Sequence, residues 1–130
     1  MLLFGHRFIE SEKFYHIRDI DAIKNTPPSS TLFITFKEDN LDIIKHAQKN
    51  EVPFALSIEN ITELIYASAL DARYIVLSKE LAKSAQDIAE TYLFDAKILV
   101  NVESEEEIEE FALQGIDGVL FSNAIIKINS

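Results

Sequence analysis

Cysteine and tryptophan are absent from this 130-residue chain, and glycine and proline occur only three times each. Without cysteine there is no disulfide framework, no thiolate-bound zinc and no thiol nucleophile. Such usage agrees with a reducing compartment. Three glycines supply neither G-x-G-x-x-G nor G-x-x-x-x-G-K-S/T, so dinucleotides and nucleoside triphosphates are poor candidate ligands and no cofactor is implied. No apolar stretch approaches the roughly 18 residues of a membrane span. The Met1–Phe4 run is too short for a secretory leader and lacks a small-residue cleavage site, so a cytoplasmic location is expected. Basic residues are also scarce, 12 against 22 acidic ones, for a net charge of −10. That balance repels nucleic acid and anionic membranes, and neither is expected as a partner.

What the chain does have is apolar content (48%), with nine Phe and four Tyr, enough for a globular core in a single domain spanning residues 1–130. A strand-and-helix unit recurs about every twenty residues over 31–123. Its apolar runs are Thr31–Phe36, Phe54–Ile58, Tyr74–Leu77, Lys97–Val102 and Gly118–Phe121. Residues 1–30 read as an irregular extension packed on these units. Arg7–Glu10 and Lys13–Ile17 are expected as short strands, and Asp19 caps a short helix over Ile20–Asn25 that stops at Pro27-Pro28.

Four helices are expected between the runs. The first spans Asp39 or Asn40 to Lys49. The second starts at Asn60, with Glu63 completing a capping box and Ile61, Leu64, Ile65, Ser68 and Ala69 at helical spacing. A third, Ser78 to Tyr92, is expected to bury Leu81, Ala85, Ile88, Ala89 and Tyr92. The last begins at Ser104 with Glu107 as capping partner, buries Ile108, Phe111 and Ala112, and ends at Gly115.

The runs are near-continuously apolar, as in parallel strands covered by helices. The class is therefore α/β, with about five βα units in a mostly parallel sheet. Two closures compete: a flavodoxin-like three-layer sheet, favoured at this chain length, or an arc resembling part of a (βα)8 barrel. An isolated arc exposes strand edges and an apolar concave face, which points to a homo-oligomer or another protein partner.

Ligands of such folds sit beyond the carboxyl ends of the strands. There the chain places Thr35 and Lys37, Ser57 and Glu59, Ser78 and Lys79, Asn101 and Glu103, and Ser122 and Asn123, a candidate polar rim. Several double as helix caps. The acidic run Glu103–Glu110 suits a helix start better than a metal site, since hard-metal ligands must converge from several elements. His46 reads as a surface residue and His16, inside Phe14–Ile17, as a packed one. His6-Arg7, leaving the apolar run Leu2–Phe4, is the pair suited to acid–base work and phosphate neutralisation.

Two segments carry a family resemblance. Leu99–Ser122, with Val-Asn, an acidic helix and Gly-Ile-Asp-Gly before the last strand, resembles the closing βα unit of glycerophosphodiester phosphodiesterases. Phe4-Gly5-His6-Arg7 is similar to that family's opening strand. The resemblance implies a barrel-derived scaffold in which His6 is an acid–base residue and Arg7 contacts phosphate. The family's glycine after His-Arg is Phe8 here, and its Pro-Glu-Asn-Thr segment is absent. The closing unit is equally similar to other barrel families, including indole-glycerol-phosphate synthase.

Two functions follow as expectations. One is a non-catalytic binding or protein-interaction module, with a small phosphate-bearing ligand as one occupant. The other is a phosphodiesterase-like hydrolase of a small phosphate ester using His6 and Arg7. A receiver-like domain ranks below both, because Ser78 stands where a phosphorylatable aspartate is needed.

Overall fold

The computed structural model describes residues 1–128. Its strands are β1 (Leu2–Phe4), β2 (Phe14–His16), β3 (Thr31–Thr35), β4 (Phe54–Ser57), β5 (Tyr74–Leu77), β6 (Lys97–Val102), β7 (Gly118–Phe121) and β8 (Ile125–Lys127). Helices α1 (Leu41–Lys49), α2 (Ile61–Ala69), α3 (Lys79–Thr91) and α4 (Glu106–Leu113) connect β3 through β7. All pairings are parallel, in the order β1-β7-β6-β5-β4-β3-β2-β8.

The five recurring strands lie where the apolar runs place them. Of the flanking elements, β2 falls within the expected Lys13–Ile17 and Asp19 caps the short helix Ile20–Asn25 as expected, but the outer strands differ. No strand forms at Arg7–Glu10, where Phe8 and Ile9 are exposed; it lies earlier, at Leu2–Phe4, whose apolar residues pair with β7. Ile125–Lys127, not anticipated as a strand, adds to β2. The two ends of the chain thus occupy opposite edges of one sheet.

Side chains alternate across each strand. One set, including Leu32, Ile34, Leu56, Ile75, Ile98 and Val100, packs beneath Ile44, Leu64, Ala85 and Phe111 of the helices. The other set, Phe4, Phe14, Phe33, Ala55, Val76, Leu99 and Leu120, forms a second cluster with Ala124 that contains no α-helix residue. Rings from β1, β2 and β5 meet inside it: Phe4, Phe14 and Tyr74 stand edge to face with centroids 5.1–5.4 Å apart. The sheet is therefore curled into a half-barrel, helices outside and strand side chains within. The arc is realised rather than the flat three-layer sheet favoured from chain length, and its concave face is filled by the chain's own rings rather than left for a partner.

Local signals hold in part. Asn60 Oδ1 accepts from the Glu63 amide (2.9 Å), while Glu63 reaches back to the Glu59 amide, one residue before the position of an ideal box. Ser104 does not cap α4, which begins after Glu105 without a side-chain cap. Ile65, Ala112 and Tyr92 (70% exposed) lie outside the core. α3 buries Ala85 and Ala89 as expected, together with Ala82 and Gln86, while Leu81 and Ile88 are only half-buried; the small alanines let the helix lie close on a curved sheet. No helix among the described residues is long and apolar enough to cross a membrane.

Candidate functional site

The concave face changes character along its length. Its middle is apolar, but two residues further along the strands the same face carries Thr35, Ser57, Ser78, Asn101 and Ser122, together with His6, His16 and Lys127. The opposite, amino-terminal mouth is tied shut. Glu12, in the β1–β2 connection, accepts from the Tyr74 hydroxyl (2.8 Å) and from Thr31 Oγ1 (3.0 Å). The open polar end is thus the carboxyl end of the strands.

Besides Thr35, all nine other rim residues expected from the sequence reach this end. Lys37, Glu59, Ser78, Lys79, Asn101, Glu103, Ser122 and Asn123 are exposed and Ser57 is half-buried. Strand phase divides them: Lys79 opens α3 and falls out of phase with the concave face, as does Asn123. Among the described residues no hydrogen bond or ion pair links any two of the nine. They form a ring of polar groups rather than a converged site.

His6 and Arg7 are more tightly held. Gly5 adopts φ +86°, and a Cβ there would lie 2.6 Å from Asn123 Oδ1 and 3.1 Å from Phe121 Cβ. This left-handed, side-chain-free step lets the chain leave β1 against the β7 exit. His6 then stacks edge-on to Phe121, with centroids 5.7 Å apart. Its Nε2 lies 2.8 Å from Glu105 Oε1, and its Nδ1 accepts from the Phe8 amide at 3.1 Å. Arg7 forks onto the same carboxylate, Nε to Oε1 at 2.8 Å and the second nitrogen to Oε2 at 3.3 Å, with its guanidinium 4.2 Å above the Phe8 ring.

Arg7, chiefly through its hydrogen bond, holds the Glu105 carboxyl below the usual carboxylate range, and Glu105 in turn raises the Arg7 pKa. The group that completes this cluster, Glu105, belongs to the acidic run that reads as a helix start. Nothing local in the sequence distinguishes it from its five neighbouring glutamates.

A second grouping lies across the rim. His16, Ile17, Arg18, Thr35, Lys37 and Asn40 enclose a hollow of about 290 Å³ between the ends of β2 and β3. Lys127 flanks it, in register with His16 on β8. His16 is half-buried with its ring 5.2 Å from that of Phe33. Burial first, then the charges of Arg18 and Lys127, lower its pKa. The sequence marks His16 as a packed residue and does not single out Arg18 or Lys127. The available signal was phase, since Phe14 and His16 share one strand face.

Larger hollows of about 560 and 460 Å³ lie elsewhere, by Arg73 and Tyr92 near the amino ends of the strands and beside Phe36, Leu41 and Tyr66 on the helix side. Neither collects the polar side chains of the concave face. Comparison with protein-family models and with curated proteins finds no match to this chain.

Proposed function

We propose that this chain is a non-catalytic binding module whose ligand sits on the polar rim at the carboxyl end of the half-barrel. The supporting observation is the state of His6. Its Nδ1 is occupied by a backbone amide and its Nε2 by Glu105. A general base needs a free lone pair facing the proton it takes, and neither nitrogen offers one. Arg7 is likewise committed to Glu105, so the pair serves to lock the β1 exit onto the start of α4. Among the described residues, the rim cations Lys37 and Lys79 form no ion pair. Self-association belongs to the same reading, through the apolar groove of Phe36, Leu41, Tyr66 and Leu70 on the helix side.

The phosphodiesterase-like reading keeps one point in its favour: His6 and Arg7 do stand at the carboxyl end of β1, where it requires them. A hydrolysis assay separates the two. Purified protein is incubated with glycerophosphocholine and with bis(4-nitrophenyl) phosphate, with and without magnesium or calcium. We expect rates indistinguishable from those of His6→Ala. Turnover that His6→Ala abolishes would overturn the binding-module reading.

A further inference from the structure

Cations are scarce in this chain, so the gathering of several in one hollow calls for an account. Arg18 and Lys37 line the space between the ends of β2 and β3, and Lys127 stands next to it on β8. No carboxylate lines this hollow. Among the described residues, none of the three cations forms an ion pair, whereas Arg7 and Lys83 both do. Two of the neighbouring acids make contacts elsewhere. Asp19 accepts the Ala22 amide at 2.8 Å, and Glu38 lines the groove on the helix side. Cations gathered without a paired carboxylate repel one another, and an anion seated between them relieves that repulsion.

The floor of the hollow is made for polar contact. Asn40, almost fully buried, donates from Nδ2 to the Thr35 carbonyl at 2.8 Å and so fixes the start of α1 against β3. The Thr35 side chain faces the same space and has no hydrogen-bond partner among the described residues. Beside it lies the half-buried His16 imidazole. Arg18 supplies a planar fork suited to two oxygens of one anion, and Lys37 a point charge. At about 290 Å³ the space suits a compact ligand rather than a nucleotide.

We propose that this hollow binds a small phosphate monoester, its dianionic head held by Arg18 and Lys37 with Lys127 alongside and its oxygens bonded by Thr35 and His16. The assignment rests on the binding-module reading and names the ligand class for that rim.

Isothermal titration calorimetry at low ionic strength tests it, with glycerol 3-phosphate, inorganic phosphate and succinate as probes. Glycerol 3-phosphate is expected to bind saturably and more tightly than inorganic phosphate or succinate, and more weakly as salt rises. Arg18→Gln and Lys37→Gln, both at exposed positions, are each expected to weaken binding about tenfold or more, as loss of a charged hydrogen bond does. Lys49→Gln, on the far end of α1, leaves it unchanged. Circular dichroism confirms that each variant is folded.

No binding of either phosphate probe, equal binding of succinate, or unchanged affinity in both variants overturns the site. Loss of binding in Arg7→Gln but not in Arg18→Gln overturns it too, while leaving the binding-module reading intact. Turnover of the ester overturns that reading alone, and Arg18-dependent binding still supports the site.

Discussion

The Tyr74 hydroxyl donates to Glu12 across 62 positions of sequence, closing the amino-terminal mouth of the half-barrel at 2.8 Å. Burial, the hydrogen bond and the Glu12 charge together push the phenol up to about 12, against a smaller opposing effect of Arg73. A folded-state pKa above the ordinary value near 10 means that the link contributes fully below pH 10 and is lost as pH rises toward 12. Near-ultraviolet titration should therefore show one of the four tyrosines ionising late. Tyr74→Phe removes that late step, and Glu12→Gln moves it toward 10. From the lost hydrogen bond we expect Tyr74→Phe to cost about 1 kcal/mol in denaturant unfolding. A late step that survives Tyr74→Phe contradicts the assignment.

Phe14 is fully buried and its ring touches both Phe4 and Tyr74, so it joins strands that hydrogen bonding leaves far apart in the sheet. Phe14→Ala removes the centre of this ring cluster and leaves a cavity on the concave face. The expected cost is about 3–5 kcal/mol, measured by urea or guanidinium unfolding. Leu113→Ala, at a side chain 83% exposed, is the matched comparison and should change stability by less than about 0.5 kcal/mol. Equal effects at the two positions would mean that the rings do not hold the curl.

His16 should titrate below its ordinary value of 6.5, first because it is buried and then because Arg18 and Lys127 stand near it. With the folded pKa depressed, its contribution to stability is present above pH 6.5 and is lost as pH falls through the folded value, since the unfolded chain takes up the proton first. Proton–nitrogen correlation spectra of the imidazole read the midpoint directly. Arg18→Gln is expected to raise it by removing one repelling charge, while burial keeps it below 6.5. An unmoved midpoint would show that the guanidinium does not face the ring.

The middle of the fold was legible because each apolar run from Thr31 to Phe121 is long enough to announce a strand, and Asn60 with Glu63, or Gly115, marks where helices turn. β1 was legible only as the apolar run that His6-Arg7 leaves, and β8 was not legible at all. Three-residue strands carry no periodicity, and their places depend on pairing with β7 and β2 at long range. The same limit governs the sites. Glu105 meets His6 and Arg7 only because β1 lies beside β7, and Lys127 meets His16 only because β8 returns to β2. Tyr92, expected in the core, is exposed because helical spacing alone does not say how wide a stripe the curved sheet will cover.

All four helices end alike, with the chain turning through a left-handed residue: Glu51, Asp71, Leu93 and Gly115, at φ 57°, 67°, 55° and 75°. After α3, the Leu93 amide donates to the Glu90 carbonyl and the Phe94 amide to Ala89, the paired bonds of a Schellman cap. Only Gly115 suits that conformation without a steric cost, because a Cβ in the left-handed region crowds the backbone. Asp71 draws some return from its side chain, which accepts from Gln48 Nε2 at 2.9 Å. Leu93 is 84% exposed and has no such return. Leu93→Gly should therefore stabilise the protein by roughly 0.5–1 kcal/mol, the relief of strain exceeding the added entropy of the unfolded chain. Asp71→Gly should gain less, because it also loses the Gln48 bond. Thermal unfolding of the two variants beside the parent checks the order, and a Leu93→Gly protein no more stable than Asp71→Gly would show that Leu93 bears no strain.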